Sequence, residues 1–224
     1  VATLLAERER ADREMLGTAQ LHWLESTLAA SVAARKPWQI LGNQVVMAKV
    51  AGPDLEAMLG ADRFAELRDG MPAQYREQID IALAGYRAGV PFNLDGWDGY
   101  PAARERLYRL FERAGTRPVV LSGDSHASWT NNLHDDARQL AAVELGCTAI
   151  SSPSYGSILP GLGQLLAQAN PEVAYCDQDN KGYALLTLTP QEARAEHRVV
   201  STILSRDFQA RVAGVHSVSP GPDG

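Results

Sequence analysis

Apolar positions along this chain recur at two spacings, and their succession outlines a layered fold. Over residues 5–34, Leu16, Trp23, Leu24 and Leu28 fall near one face of a helix with charges opposite. Pro37 is expected to end that helix, because the residue before a proline is driven out of the helical region. Trp38-Gln39-Ile40-Leu41 then reads as a strand, and a second apolar stretch, Val45-Val46-Met47, follows Gly42-Asn43-Gln44. Residues 51–70 are polar and broken by Gly and Pro, which predicts loop with a short helix. Tyr75 to Tyr86 carries Ile79, Ile81, Leu83 and Ala84 and predicts another helix. Pro101 suits the first turn of a helix in which Leu107, Leu110 and Phe111 recur at helical spacing, with Gly115 as the stop. Pro118 to Ser122 and Gln139 to Leu145 read as buried strands, and Leu159 to Ala169 as a helix. Residues 181–189 and 193–203 predict a hairpin around Thr189-Pro190-Gln191-Glu192. The body is expected to span 1–210 and a flexible Pro/Gly/Ser-rich tail 211–224. Alternating helices and strands over the first two thirds favour an α/β fold of mixed β-sheets flanked by helices, with the hairpin at one edge.

Composition narrows the function classes. Hydrophobic residues make up 45% of 224 and charged residues 21%, an ordinary globular balance with enough length for a substantial core. The net charge is −6 with scattered Lys and Arg, so no basic stripe points to nucleic acid. No apolar run approaches the length of a membrane span, and the N-terminus lacks the order of a signal peptide. Cys147 and Cys176 are too few for a disulfide scaffold and match no zinc spacing. They read as two buried thiols or one disulfide.

The chemistry concentrates in Gly123-Asp124-Ser125-His126, directly after the strand at 118–122. A carboxylate and an imidazole two residues apart on a strand-end loop can both address one cation. In open α/β sheets ligands bind beyond the carboxyl ends of strands. Taken alone, the same segment also fits a surface turn with an Asp-capped hydrogen bond. Ser125 admits a different reading, since Gly-Asp-Ser opens the block of GDSL-type serine esterases. That reading needs a histidine base oriented by an acid, from His134, His197 or His216, and none has a recognisable setting.

Several segments in one order resemble PhoD-like phosphatases. They are Gln20 to Leu24, Trp38 to Met47, Asn93 to Ala102, Val119 to His126, Val143-Glu144-Leu145 with Ser151-Ser152-Pro153, and Lys181-Gly182-Tyr183. The resemblance runs from about residue 13 to residue 205. It implies the metallophosphoesterase fold, hydrolysis of phosphate monoesters and diesters, a metal cluster of iron with calcium, and export through the twin-arginine route. It also implies that Asp124 and His126 are metal ligands, at the position where the superfamily usually has Gly-His-x-His. The Asp, Gly-Asp and Asn/Asp-His motifs that supply the other ligands in that superfamily are not found here. The chain is therefore expected to be the C-terminal part of a phosphatase whose missing half completes the site, or a homologue that keeps the sheet and binds a partner without catalysis.

Other residues admit two readings each. Trp97, Asp98 and Tyr100 either line the pocket or pack the loop, with Asp95 and Asp98 capping the next helix. Asn43 either supports a metal ligand or makes a turn. His22 reads as a core-edge or surface residue, His134 beside Asp135 and Asp136 as a solvated loop, and His197 as exposed. Trp129 either shields the site or packs beneath it.

Overall fold

A computed structural model describes residues 1–220. Its centre is a five-stranded sheet in the order β1-β2-β4-β3-β5, formed by β1 (Ile40–Gly42), β2 (Val119–Ser122), β3 (Ser128–His134), β4 (Leu140–Gly146) and β5 (Val173–Asp177). β1, β2 and β4 are parallel, and β3 runs antiparallel to both β4 and β5. Helices cover one face, chiefly α2 (Thr18–Ala33) and α6 (Pro101–Arg113). Val120, Trp129, Leu133 and Ala142 share that core with Leu24, Leu28, Leu107 and Phe111. The other face meets a second sheet of β6 (Lys181–Leu188), β7 (Ala193–Val200) and β8 (Ala210–Val218), through Val119, Leu145, Ala193 and Ala195. Alternation along β2 explains the two cores: Val120 points one way, Val119 and Leu121 the other. No helix among the described residues is long and apolar enough to cross a membrane.

The layered α/β fold and the hairpin, here β6 and β7, agree with the sequence pattern. Several local expectations change, among them residues 51–70, expected as loop with one short helix, which form two. The helix over 5–34 is two helices, α1 (Ala2–Arg8) and α2, the second starting from Gly17 in extended conformation. α2 turns Leu24 and Leu28 inward, whereas Trp23 is 60% exposed. β3 and β5 were not anticipated: β3 carries Asn131 and Asn132 mid-strand, and sheet pairing overrides their poor strand propensity. The tail expected from 211 is strand β8 through Val218, because eight register pairs hold it on β7; residues 221–224 lie outside the described residues. α3 (Leu55–Leu59), α4 (Ala61–Asp69), α5 (Ala73–Arg87) and α7 (Leu162–Ala169) complete the set.

Val45-Val46-Met47 is not a strand. Five consecutive backbone N–H groups from Met47 to Ala51 are taken up by distant side chains instead. Glu144 Oε1 accepts from Met47 at 2.7 Å and its Oε2 from Ala48 at 3.1 Å. Glu172 accepts from Lys49 at 2.8 Å, Asp98 from Val50 at 2.8 Å and Asn170 from Ala51 at 2.7 Å. Asp98 also pairs with the buried guanidinium of Arg104 at 2.7 Å, which donates to Met47 O at 3.1 Å. Asp98 is thus an anchor for this segment and not a helix cap, and α6 has no side-chain cap. Burial pushes the Glu144 carboxyl up, against the hydrogen bonds it accepts. Asp98→Ala leaves Arg104 charged and buried and Val50 N–H without an acceptor. It is expected to lower the unfolding free energy by about 3–5 kcal/mol in urea titrations.

His197, expected to be exposed, is 1% exposed between the two sheets. Its ring stacks on Tyr175 at 5.1 Å and meets His216 edge-on at 5.5 Å, and Nε2 contacts Thr130 Oγ1 at 3.1 Å. Burial, and then His216, push its pKa down to about 4 against the pull of Asp177. The fold therefore holds the neutral ring. Its contribution is fully present above the unfolded value of about 6.5 and is lost as the pH falls from there towards about 4. Between pH 7 and pH 5 the loss from this residue is expected to be about 2 kcal/mol. His197→Phe is expected to flatten that part of the urea-midpoint profile.

Candidate metal-binding loop at the carboxyl edge

The parallel strands β1, β2 and β4 end at one edge of the central sheet, so Asn43, Gly123 and Cys147 emerge side by side. β5 ends at the same edge and leads into Gln178 to Lys181. β2 and β3 are not neighbours, because β4 lies between them. Residues 123–127 must therefore cross the end of β4, roughly two strand spacings or ~10 Å, in a short loop. The crossing is tight. Asp124 and His126 both adopt left-handed backbone, with φ 62° and 56°. For a non-glycine residue that conformation costs about 1–3 kcal/mol and persists only where its surroundings hold it. At Gly146, beneath the crossing, an added Cβ would lie 2.9 Å from Trp129 Cβ, which is why β4 ends in glycine.

The holding contacts are visible. Gly123 N–H donates to Gln44 O at 3.3 Å, and Ser125 N–H to Gly123 O at 2.7 Å. His126 O accepts from Thr148 Oγ1 at 3.0 Å and from Lys181 Nζ at 3.3 Å. His126 Nδ1 lies 2.8 Å from Pro153 O. A carbonyl can only accept, so Nδ1 carries the proton and the neutral ring keeps its lone pair on Nε2. This carbonyl partnership is the usual support of a metal-ligating imidazole. Asp124 is exposed and enters none of the ion pairs among the described residues. The loop thus offers one carboxylate and one imidazole nitrogen. Among the described residues no three His, Cys, Asp or Glu side chains are grouped to hold a metal ion. The donor set suits a share in a cation site and not a complete coordination shell.

A cleft of about 60 Å³ adjoins the loop at Ser125. Val46, Ala48 and Val50 line one side, with Phe92, Trp129 and Tyr155 among the other walls. Phe92 and Tyr155 meet edge to face at 5.6 Å. Trp129 Nε1–H donates to Ser125 Oγ at 2.9 Å, which leaves the serine hydrogen free to donate elsewhere. Burial lowers the proton affinity of the Lys181 ammonium, against the nearby carboxylates of Asp177 and Asp179.

The remaining candidates are committed to other partners or lie apart from the loop. Asn43 makes a turn: its amide oxygen accepts from Trp97 Nε1 at 3.1 Å and its nitrogen donates to Val45 O. Trp97 is buried in the core, while Asp98 both lines the cleft and anchors the 47–51 segment. His134 sits at the far end of β3, opposite the edge that carries the loop. His197 and His216 lie between the sheets, and His22 is exposed on α2. Ser125 has its hydrogen bond from Trp129 and none from His134, His197 or His216, so the described residues form no serine-esterase triad. Cys147 and Cys176 are free thiols, and burial pushes the Cys176 thiol well up. Sequence reasoning gives Thr148, Pro153 and Lys181 no role in the site, although Pro153 and Lys181 lie in segments that carry the family resemblance. Each is an ordinary residue whose role exists only because distant loops converge at this edge.

The family model for PhoD-like phosphatases matches residues 2–197. The chain belongs to the PhoD-like phosphatase family. Alkaline phosphatase D of Bacillus subtilis (strain 168) is 28% identical over 228 residues, which cover 95% of this chain and 33% of that protein. A solved structure described as "Structure of PhoD" matches with a TM-score of 0.66 and 24% identity, over 96% of this chain and 37% of that one. At that identity the likeness concerns the fold, which it shares. The chain spans about a third of the length of the relatives it matches.

Because no base addresses Ser125, Ser125→Ala is expected to leave labelling by a fluorophosphonate serine probe at background, as in the wild type. Stoichiometric labelling of the wild type at Ser125 would restore the serine-esterase reading.

Proposed function

We propose that this chain supplies one part of the centre of a metal-dependent phosphoesterase, with Asp124 and His126 as two of the cation ligands. One observation carries the reading: an acid and an imidazole held in left-handed conformation on a strand-crossing loop, with the imidazole proton committed to a carbonyl. Membership of the phosphatase family gives the reaction class, and iron with calcium is the metal pair that the family implies. When bound, such cations supply Lewis acidity to phosphoryl oxygens and acidify water at neutral pH. The chain's own residues do the rest. Asp124 brings negative charge and a hard oxygen, and His126 a neutral nitrogen. Ser125 can donate its free hydroxyl hydrogen to an oxygen of the ester. The apolar walls at Val46, Phe92, Trp129 and Tyr155 keep water from the organic part of the substrate. Further ligands belong, in this reading, to parts of the longer polypeptide that its relatives' lengths suggest. Export belongs to the same proposal.

The test is metal analysis of the purified 224-residue chain, with hydrolysis of p-nitrophenyl phosphate and bis-p-nitrophenyl phosphate measured alongside. Asp124→Ala and His126→Ala are each expected to lower the affinity for added cation by at least about 100-fold, while the fold is retained. The chain alone is expected to turn over neither ester appreciably. Unchanged metal binding in both variants overturns the ligand assignment. Robust turnover by the chain alone overturns the shared-centre reading.

A further inference from the structure

The second sheet reaches the candidate site at one point, the start of β6. Lys181 pairs with Val200, and Gly182 N–H donates to Ala149 O at 3.2 Å. Gly182 has backbone all around it: an added Cβ would lie 1.9 Å from Arg198 O. The Lys181 stem therefore springs from a fixed position. Its ammonium makes two hydrogen bonds, to Ser154 Oγ at 2.6 Å and to His126 O at 3.3 Å. Ser154 directly follows Pro153, whose carbonyl accepts the His126 Nδ1 proton. Ser154 in turn donates to Gln178 O. One ammonium thus grips the backbone of His126 and the side chain of the residue next to the acceptor for its ring.

We propose that Lys181 is a positioning residue: it holds the Pro153 carbonyl against His126 and so keeps that ring in the Nδ1–H form, with Nε2 free of its proton. Which nitrogen of a neutral imidazole is protonated follows from the hydrogen bond available to the other. Nothing covalent fixes Pro153 O in place. Its position depends on Ser154, whose carbonyl is held by Ser157 but whose hydroxyl keeps only Gln178 O once Lys181 is gone. Thr148 still donates to His126 O, so losing the lysine loosens the ring acceptor more than the loop. The consequence for cation affinity rests on the ligand reading of His126, whereas the tautomer does not.

The test is long-range ¹H–¹⁵N NMR of the metal-free chain labelled at histidine, at a pH where the imidazoles are neutral. The wild type is expected to show His126 as the Nδ1–H form. Lys181→Met, of similar length but without donors, is expected to shift His126 towards Nε2–H with the Trp129 indole resonance in place, and Lys181→Arg to restore the wild-type form in part. Ser154→Ala cuts the same link from the other side and decides the matter should Lys181→Met fail to fold. Titration with cobalt(II) is expected to show 10–100-fold weaker binding in Lys181→Met, the size of effect seen when a supporting partner of a metal ligand is removed. A His126 that stays Nδ1–H in Lys181→Met, or in Ser154→Ala where the lysine variant does not fold, overturns the proposal, as does a wild type that lacks that form. A lysine-dependent tautomer in a wild type that binds no cobalt supports the positioning role and overturns the ligand reading instead.

Discussion

Holding the polypeptide between Met47 and Ala51 outside both sheets, with a single bridge from Ala51 to Pro91, is the constraint on which the rest of the structure turns. An unpaired backbone N–H away from water is costly, and here Met47, Ala48 and Val50 are buried, with Lys49 half-buried and Ala51 exposed beside them. The fold meets all five with side chains: both oxygens of Glu144, one each of Glu172 and Asp98, and the amide of Asn170. These acceptors come from β4, the loop before β5, the turn before α6 and the end of α7. One short segment therefore ties four parts of the chain together. The arrangement needs a cation to offset its buried negative charge, and Arg104 supplies one while bonding to Asp98 and to Met47 O. Buried charges are kept only when paired and hydrogen-bonded on every side.

The same segment forms one wall of the cleft beside Ser125, so the anchoring has a functional outcome. Val46, Ala48 and Val50 present side chains to the cleft while Met47, Ala48 and Val50 are held by their backbones from below. A rigid wall stands next to a rigid loop. The loop's rigidity has its own source, the short crossing over the end of β4, which forces Asp124 and His126 into left-handed backbone. Strain of that kind is retained when surrounding contacts over-determine it, and the bonds to Gln44, Thr148, Pro153 and Lys181 do so here. Two sheets, one parallel in its main strands and one antiparallel, meet at that point.

Much of this was legible in the residue pattern. The strand at 118–122, α6 with Pro101 at its start, the hairpin β6–β7 and the Gly-Asp-Ser-His loop follow from local signals: a run of apolar residues, a proline fit for a first turn, turn residues between alternating segments. β3 was not legible, because Asn131 and Asn132 oppose the strand preference and pairing on both sides decides the outcome. His197 read as exposed because charged residues flank it in sequence. On a strand, neighbours point to the opposite face, so Glu196 and Arg198 bond to each other on the outer face while His197 stacks on Tyr175 within. The apolar run at 45–47 showed only as an apolar stretch, because such a pattern records burial and not the source of the hydrogen bonds.

What the amino-acid order determined by itself was short in range: where helices and strands begin, which side chains carry chemistry, and that an acid and an imidazole share one loop. Those properties depend on residues a few positions apart, so a linear reading reaches them. Which acceptor receives each buried N–H, which tautomer His126 holds, and which residue supports it were decided only by tertiary structure. Lys181 stands 55 positions from His126 and Glu144 97 from Met47. No local pattern encodes contacts across such distances. They exist because the strand order β1-β2-β4-β3-β5 sends separate loops to a single edge.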